Sequence, residues 1–125
     1  MVREGFITHS GFQPVYQNNG FKCAFITAGE QYAPGKIKTM KRHNSSDEVF
    51  ALVSGKAVLV TGDVAQKQYV FTPLCHGVSY CVDAGTWHYL AVSEDGTVFV
   101  VENSDVSAAN TDAVDIEKQY VIVEV

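Results

Sequence analysis

Short runs rich in Val, Ile, Phe, Tyr and Thr recur along the chain between Gly, Pro, Asn and Asp residues, which is the pattern of an all-β domain. They predict strands over Phe21–Thr27, Lys36–His43, Glu48–Val53, Lys56–Thr61, Gln68–Phe71, Val78–Val82, Thr86–Val92, Val98–Glu102 and Tyr120–Val125. Gly55, Gly62-Asp63, Asp83-Ala84-Gly85 and Glu94-Asp95-Gly96 separate these runs and accommodate the backbone of tight antiparallel hairpins. No helix of convincing length is predicted before Ala108. Closely spaced strands without helical crossovers suit a double-sheet jelly roll, a small barrel whose interior can host a ligand. Residues 103–115 are polar and do not alternate, so they read as an irregular connection lying across one mouth of the barrel. The apolar run Tyr120–Val125 is a liability if left unpaired, and it is expected to pair within the fold or across a dimer.

Alternation also sorts the side chains by face. Along Lys36–His43, one face carries Ile37, Thr39, Lys41 and His43, and the other carries Lys36, Lys38, Met40 and Arg42. The second, more charged face is expected to see solvent. The same rule sets Glu48 beside Phe50 and Leu52, and His88 beside Thr86, Leu90 and Val92. A carboxylate on such an aliphatic face costs several kcal/mol or takes up a proton unless a partner compensates it.

The chain's 125 residues and 46% hydrophobic content are enough for one continuous core, so residues 1–125 form a single domain in this reading. Nine basic residues stand against fourteen acidic ones, and the net charge of −5 with no basic cluster argues against nucleic acid as a partner. No apolar stretch has the length of a signal peptide core or a membrane span, so a soluble, cytoplasmic protein with no membrane partner is expected. Cys23, Cys75 and Cys81 lack metal-type spacing and read as reduced, mostly buried thiols. His9 and His76 have no polar company and read as surface or loop residues, while Trp87 and Tyr89 read as packing residues.

Two imidazoles and one carboxylate from different strands can form the facial arrangement associated with non-haem Fe(II), and Mn, Ni, Co or Zn fit nearly as well. His43, Glu48 and His88 are the candidate ligands. The stretch Gly35-x5-Lys41-x-His43-x4-Glu48-x6-Gly55, followed by Gly77-x5-Asp83-x-Gly85-x2-His88, resembles the paired motifs of the cupin superfamily. That resemblance implies a double-stranded β-helix and a divalent metal. It aligns His43 with the second His of the first motif, Glu48 with its Glu and His88 with the later His. Lys41 stands in the place of the first His, Asp83 where the family usually has Pro, and Val92 where it often has Asn.

A protonated Lys41 cannot coordinate a cation. Three arrangements follow: it leans away from a metal, it replaces the metal by pairing with Glu48, or its pKa falls until it becomes a ligand or a base. Metal binding ranks first, a metal-free polar pocket second and an inert core third. Lys41, Phe50 and Leu90 are the expected substrate contacts. Cupins include many enzymes and non-enzymes, so the resemblance narrows architecture more than reaction. The first functional expectation is a metal-dependent protein that binds or transforms a small sugar- or carboxylate-type metabolite. The second is a metal-free sugar or sugar-nucleotide isomerase or epimerase with His as acid and base. The third is a non-catalytic binding or sensor module. A homodimer is expected from the resemblance and from the apolar terminal strand.

Overall fold

The computed structural model describes residues 1–125 and contains twelve strands. They are β1 Phe12–Gln17, β2 Phe21–Thr27, β3 Gly35–Lys36, β4 Thr39–His43, β5 Glu48–Ser54 and β6 Ala57–Asp63, followed by β7 Gln68–Pro73, β8 Ser79–Val82, β9 Trp87–Val92, β10 Thr97–Asn103, β11 Thr111–Asp115 and β12 Ile122–Val123. Two five-stranded sheets, in the orders β1-β2-β10-β5-β8 and β11-β4-β9-β6-β7, pack face to face, and β12 pairs with β3 as a short third sheet. All the pairings are antiparallel. This is the expected jelly roll. No helix is long and apolar enough to cross a membrane.

Between the sheets lies a core of twelve buried residues, among them Ala24 and Ile26 of β2, Phe50 and Leu52 of β5, Leu90 and Val92 of β9, and Val98 and Val100 of β10. Each pair sits two residues apart, the period that sends alternate side chains to one face. A second core forms on the outer side of the other sheet, where Met40, Val58, Val60 and Ala91 meet Ile116, Val121 and Val123 from the chain's end. The strand β6 is therefore buried on both faces, which explains its unbroken Ala57-Val58-Leu59-Val60 run.

This second core corrects the expectation for the outer face of the Lys36–His43 run. That run is not one strand, because β3 and β4 are separated at Ile37-Lys38, and Ile37 joins Met40 beneath the terminal segment instead of facing the barrel interior. Met40, expected in solvent, is 0% exposed. The terminal run pairs within the fold, Ile122 opposite Lys36 and Val123 opposite Gly35.

Two further strands escaped the pattern. β1 at Phe12–Gln17 pairs with β2 through a bulge between Pro14 and Tyr16, and its Pro and two Gln mask the alternation. β11 occupies the segment read as irregular and forms the edge of the second sheet by pairing with β4. Its sequence Thr-Asp-Ala-Val-Asp leaves only short side chains to bury, as an edge strand permits. The thiols also differ from expectation: Cys75 and Cys81 are exposed and Cys23 is half-buried. Cys81 alternates outward from β8 between the inward Tyr80 and Val82.

Removing buried atoms leaves a cavity, whereas an exposed side chain leaves none. Met40→Ala is therefore expected to lower the unfolding free energy by ~2–5 kcal/mol, and Lys38→Ala to change it by no more than ~0.5 kcal/mol. Equal urea midpoints for the two variants would contradict the second core.

Candidate metal centre

The barrel brings the three expected ligands together from both sheets. His43 ends β4, His88 follows the start of β9, and Glu48 opens β5 in the facing sheet. A four-residue corner, Asn44-Ser45-Ser46-Asp47, carries the chain from one sheet to the other between His43 and Glu48. Gly85 fixes the other approach: at φ +83 it occupies the left-handed region, and its N–H donates to the His43 carbonyl at 2.8 Å. The turn before β9 is thus tied to the end of β4.

Glu48 is 5% exposed and His88 9% exposed. His88 Nε2 lies 3.1 Å from Glu48 Oε1, and His43 Nε2 lies 3.7 Å from Glu48 Oε2. Ligand atoms of the three residues all fall within 4.8 Å of one another. Two donors that each sit ~2.1 Å from a common ion stand ~3.0 Å apart at a right angle and ~3.4 Å apart at the tetrahedral angle. The residues therefore fit a divalent metal in both donor type and spacing.

The far sides of the rings are held as well. His88 Nδ1 donates to the Thr86 carbonyl at 2.9 Å, which directs the Nε2 lone pair of the neutral ring toward Glu48. His43 Nδ1 meets the Thr111 hydroxyl at 2.9 Å. A neutral His88 and an ionised Glu48 would present two acceptors to each other across 3.1 Å, so either a proton or a cation must sit between them.

In the metal-free site the proton supplies that charge. Burial works to lower the His88 pKa, but the hydrogen bond and charge of Glu48 outweigh it and raise the pKa above its ordinary value. Burial likewise opposes ionisation of Glu48, yet hydrogen bonds from His88 and Glu102 hold its pKa low. His43 behaves differently: burial, helped by the charges of His88 and Lys41, outweighs the opposing pull of Glu48 and lowers its pKa, so this ring stays neutral.

Glu102, Lys22 and Tyr32 belong to the site and were not singled out from the sequence. Glu102 of β10 lies directly between Lys22 of β2 and Glu48 of β5 in the sheet register. Burial, the hydrogen bond to Glu48 and the Glu48 charge push the Glu102 pKa up to about 8. It therefore holds a proton at neutral pH and gives Glu48 its second donor. Lys22 Nζ approaches Glu102 at 3.6 Å and donates to the Val106 carbonyl at 3.3 Å; beside a protonated Glu102 the former is a charge–dipole contact. Tyr32, in the short turn Glu30–Tyr32, packs on the core near both carboxylates, and burial followed by the charges of Glu48 and Glu102 raises its pKa. The signals for Glu102 and Lys22 were present: Val98, Val100 and Glu102 share one face, as do Lys22, Ala24 and Ile26.

The remaining candidates occupy distinct places. Lys41 lies opposite His88 in the register but is exposed, and the counter-charge beside Glu48 comes from His88 and not from an ion pair with Lys41. Phe50 and Leu90 are buried in the main core, and the Phe50 ring meets His88 edge-on with centroids 6.4 Å apart. Trp87 and Tyr89 pack against the outer core, and the Arg42 guanidinium stacks over Trp87 at 4.5 Å. His9 and His76 are exposed. Burial at the strand edge and the Asp47 and Asp83 carboxylates raise the Cys81 pKa, which disfavours the thiolate a nucleophile needs.

No protein-family model matches the chain, and no curated protein is significantly similar to it. Solved structures do share its fold. A cupin-2 domain containing protein from Shewanella frigidimarina superposes with a TM-score of 0.56 at 19% identity, covering 78% of this chain and 84% of that one. KdgF from Halomonas sp. gives 0.58 at 14% identity, covering 83% and 90%. The WlaRB TDP-quinovose 3,4-ketoisomerase from Campylobacter jejuni gives 0.57 at 16% identity, covering 71% and 66%. The fold is the cupin double-stranded β-helix.

Glu102 gives the metal-free protein a pH signature. Below its ordinary 4.5 both folded and unfolded chains hold the proton, and the advantage of burying a neutral acid is fully present. Between 4.5 and about 8 only the folded chain keeps it, so this contribution falls as pH rises, by at most ~1.4 kcal/mol per pH unit. In EDTA-treated protein the stability difference between wild type and Glu102→Gln should shrink or reverse across this range. A difference that stays constant with pH would contradict the protonated Glu102.

Proposed function

We propose that the protein binds one divalent transition metal, Fe, Mn, Ni, Co or Zn, through His43, Glu48 and His88, and uses it to hold a small sugar- or carboxylate-type metabolite. The observation that carries this reading is the convergence of three ligand atoms within 4.8 Å, with the His88 ring oriented from behind by the Thr86 carbonyl. A bound ion of this kind supplies Lewis acidity toward a substrate oxygen. Three protein ligands leave coordination positions for that oxygen.

The surrounding residues have separable roles. Glu102, carrying its proton, keeps Glu48 ionised and oriented by hydrogen bonding to it. Lys41, exposed opposite His88, is placed to attract an anionic substrate group without competing for the ligands. Phe50 and Leu90 form the apolar floor beneath the imidazoles and limit water around them. We assign the protein to the cytoplasm, a reducing compartment in which the exposed Cys75 and Cys81 would stay as thiols.

The Glu48–His88 hydrogen bond favours a second reading. Without a metal, His88 with a raised pKa beside an ionised Glu48 is an acid–base pair suited to moving a proton next to a carbonyl. Sugar ketoisomerases occur among the solved structures with this fold, including the TDP-quinovose enzyme. Against this reading, few cations stand near the site: Lys22 is held by Glu102 and the Val106 carbonyl, and Arg42 is already paired with Asp112 at 2.9 Å and stacked on Trp87, which leaves Lys41. That leaves little to bind a diphosphate.

Elemental analysis of protein purified without a histidine tag separates the two readings. About one equivalent of transition metal per chain is expected, and His88→Ala should lose it, because two ligands hold a divalent ion far more weakly than three. A metal-free wild type whose melting temperature rises with TDP-sugars would transfer the assignment to the acid–base reading.

A further inference from the structure

Tyr32, Tyr69, Tyr80 and Tyr89 are the tyrosines whose rings pack against a core. A buried phenol normally finds a hydrogen-bond partner in the protein. Three of these do: Tyr69 donates to Gln119, Tyr89 donates to the Ala33 carbonyl at 2.6 Å, and Tyr80 accepts from the Cys75 N–H at 2.8 Å. The Tyr32 hydroxyl bonds no protein group. No polar side-chain atom is both buried and unpaired in this protein, so the half-buried Tyr32 opens its hydroxyl onto accessible space.

That space adjoins the metal ligands. The turn Glu30–Tyr32 is closed by the Tyr32 N–H donating to the Gly29 carbonyl at 3.0 Å; it lies against β9 and is tied to it by the Tyr89 bond to Ala33. The Tyr32 ring rests on the main core, and the charges of Glu48 and Glu102 both act on its hydroxyl. In the other sheet, Lys41 of β4 and Thr61 of β6 lie on either side of His88, each opposite it in register, and directly paired residues share a face. The Lys41 charge acts on both imidazoles. The uncommitted polar groups flanking the ligands are therefore a phenol, an ammonium and a threonine hydroxyl.

We propose that the site selects a small carboxylate over a neutral sugar-type ligand, with the Tyr32 hydroxyl donating to its oxygen from the side of Glu48 and Lys41 pairing with its charge from the side of His88. This selectivity rests on the metal reading, because without the ion Glu48 would repel the ligand. A divalent ion with Glu48 as its one anionic ligand keeps a net positive charge and Lys41 adds another, which an anion answers and a neutral polyol does not. Hydrogen bonding favours the same class. Each hydroxyl of a sugar brings a proton that needs an acceptor, and the acceptors beside the ligands are engaged: Glu48 takes hydrogen bonds from His88 and Glu102, and the Thr111 hydroxyl is joined to His43 Nδ1. Thr61 can serve either role. A carboxylate brings only acceptors. Lys41 and Tyr32 have protons to give it, and burial with both glutamate charges keeps the phenol protonated.

Glycolate and ethylene glycol share a carbon skeleton and differ only in carboxylate against hydroxymethyl, so titrating the Co(II)-loaded full chain with each, followed by its visible absorption, tests this. Glycolate should change the spectrum saturably and ethylene glycol should not. Tyr32→Phe keeps the ring in the core, so it should retain wild-type Co(II) stoichiometry and melting temperature. It should bind glycolate about tenfold more weakly, the loss of one hydrogen bond to a charged acceptor. Lys41→Met should weaken glycolate binding as well. Ethylene glycol bound as tightly as glycolate, no response to glycolate, or Tyr32→Phe at wild-type glycolate affinity would each overturn the carboxylate assignment while leaving the metal reading in place. A wild type that takes up no Co(II) would instead remove the metal reading, and the carboxylate assignment with it.

Discussion

A carboxylate buried inside an apolar barrel sets the terms for the site. Glu48 stands on the same face as Phe50 and Leu52, where an unpartnered charge would either cost several kcal/mol or be lost to protonation. It keeps its charge because His88 and His43 approach from the opposite sheet and Glu102 donates from the neighbouring strand. Those partners come from β4, β9 and β10, so the charge is stable only when both sheets have closed around it. Closure of the barrel and completion of the site are one event.

The same arrangement requires a positive charge between His88 and Glu48. The Thr86 carbonyl occupies His88 Nδ1, leaving Nε2 as the only nitrogen that can face Glu48. Whatever bridges Nε2 and the carboxylate must be positive. A proton does so in the metal-free protein, and in the proposed metal-bound form His43, Glu48 and His88 would hold a divalent ion in its place. Glu102 stabilises Glu48 in either state without adding a second negative charge, since its proton is retained at neutral pH.

Much of this was legible in the residues, and the gaps have physical causes. Strands with strong alternation, such as β2, β5 and β10, fell where the pattern put them, and the glycines at 35, 55, 77 and 85 marked the motif turns, each with positive φ. β1 and β11 were hidden because an edge strand can be built from Pro, Gln, Thr and Asp without an alternating apolar face. Met40 was misassigned because the lysines around it suggested solvent, whereas the cover comes from Ile116, Val121 and Val123, far along the chain. Period-2 reasoning also breaks where the strand does, which is how Ile37 came to share a core with Met40. Glu102 and Lys22 lay on readable inward faces but matched no motif spacing, and only the sheet order places them beside Glu48.

Anomalous diffraction from crystals grown with a transition metal tests the centre most directly. A peak within ~2.0–2.3 Å of His43 Nε2, His88 Nε2 and a Glu48 oxygen, with Lys41 directed away from it, is the expected result. No peak there at full metal loading, or a single peak among Asp47, Cys81 and Asp83 on the surface, would contradict it.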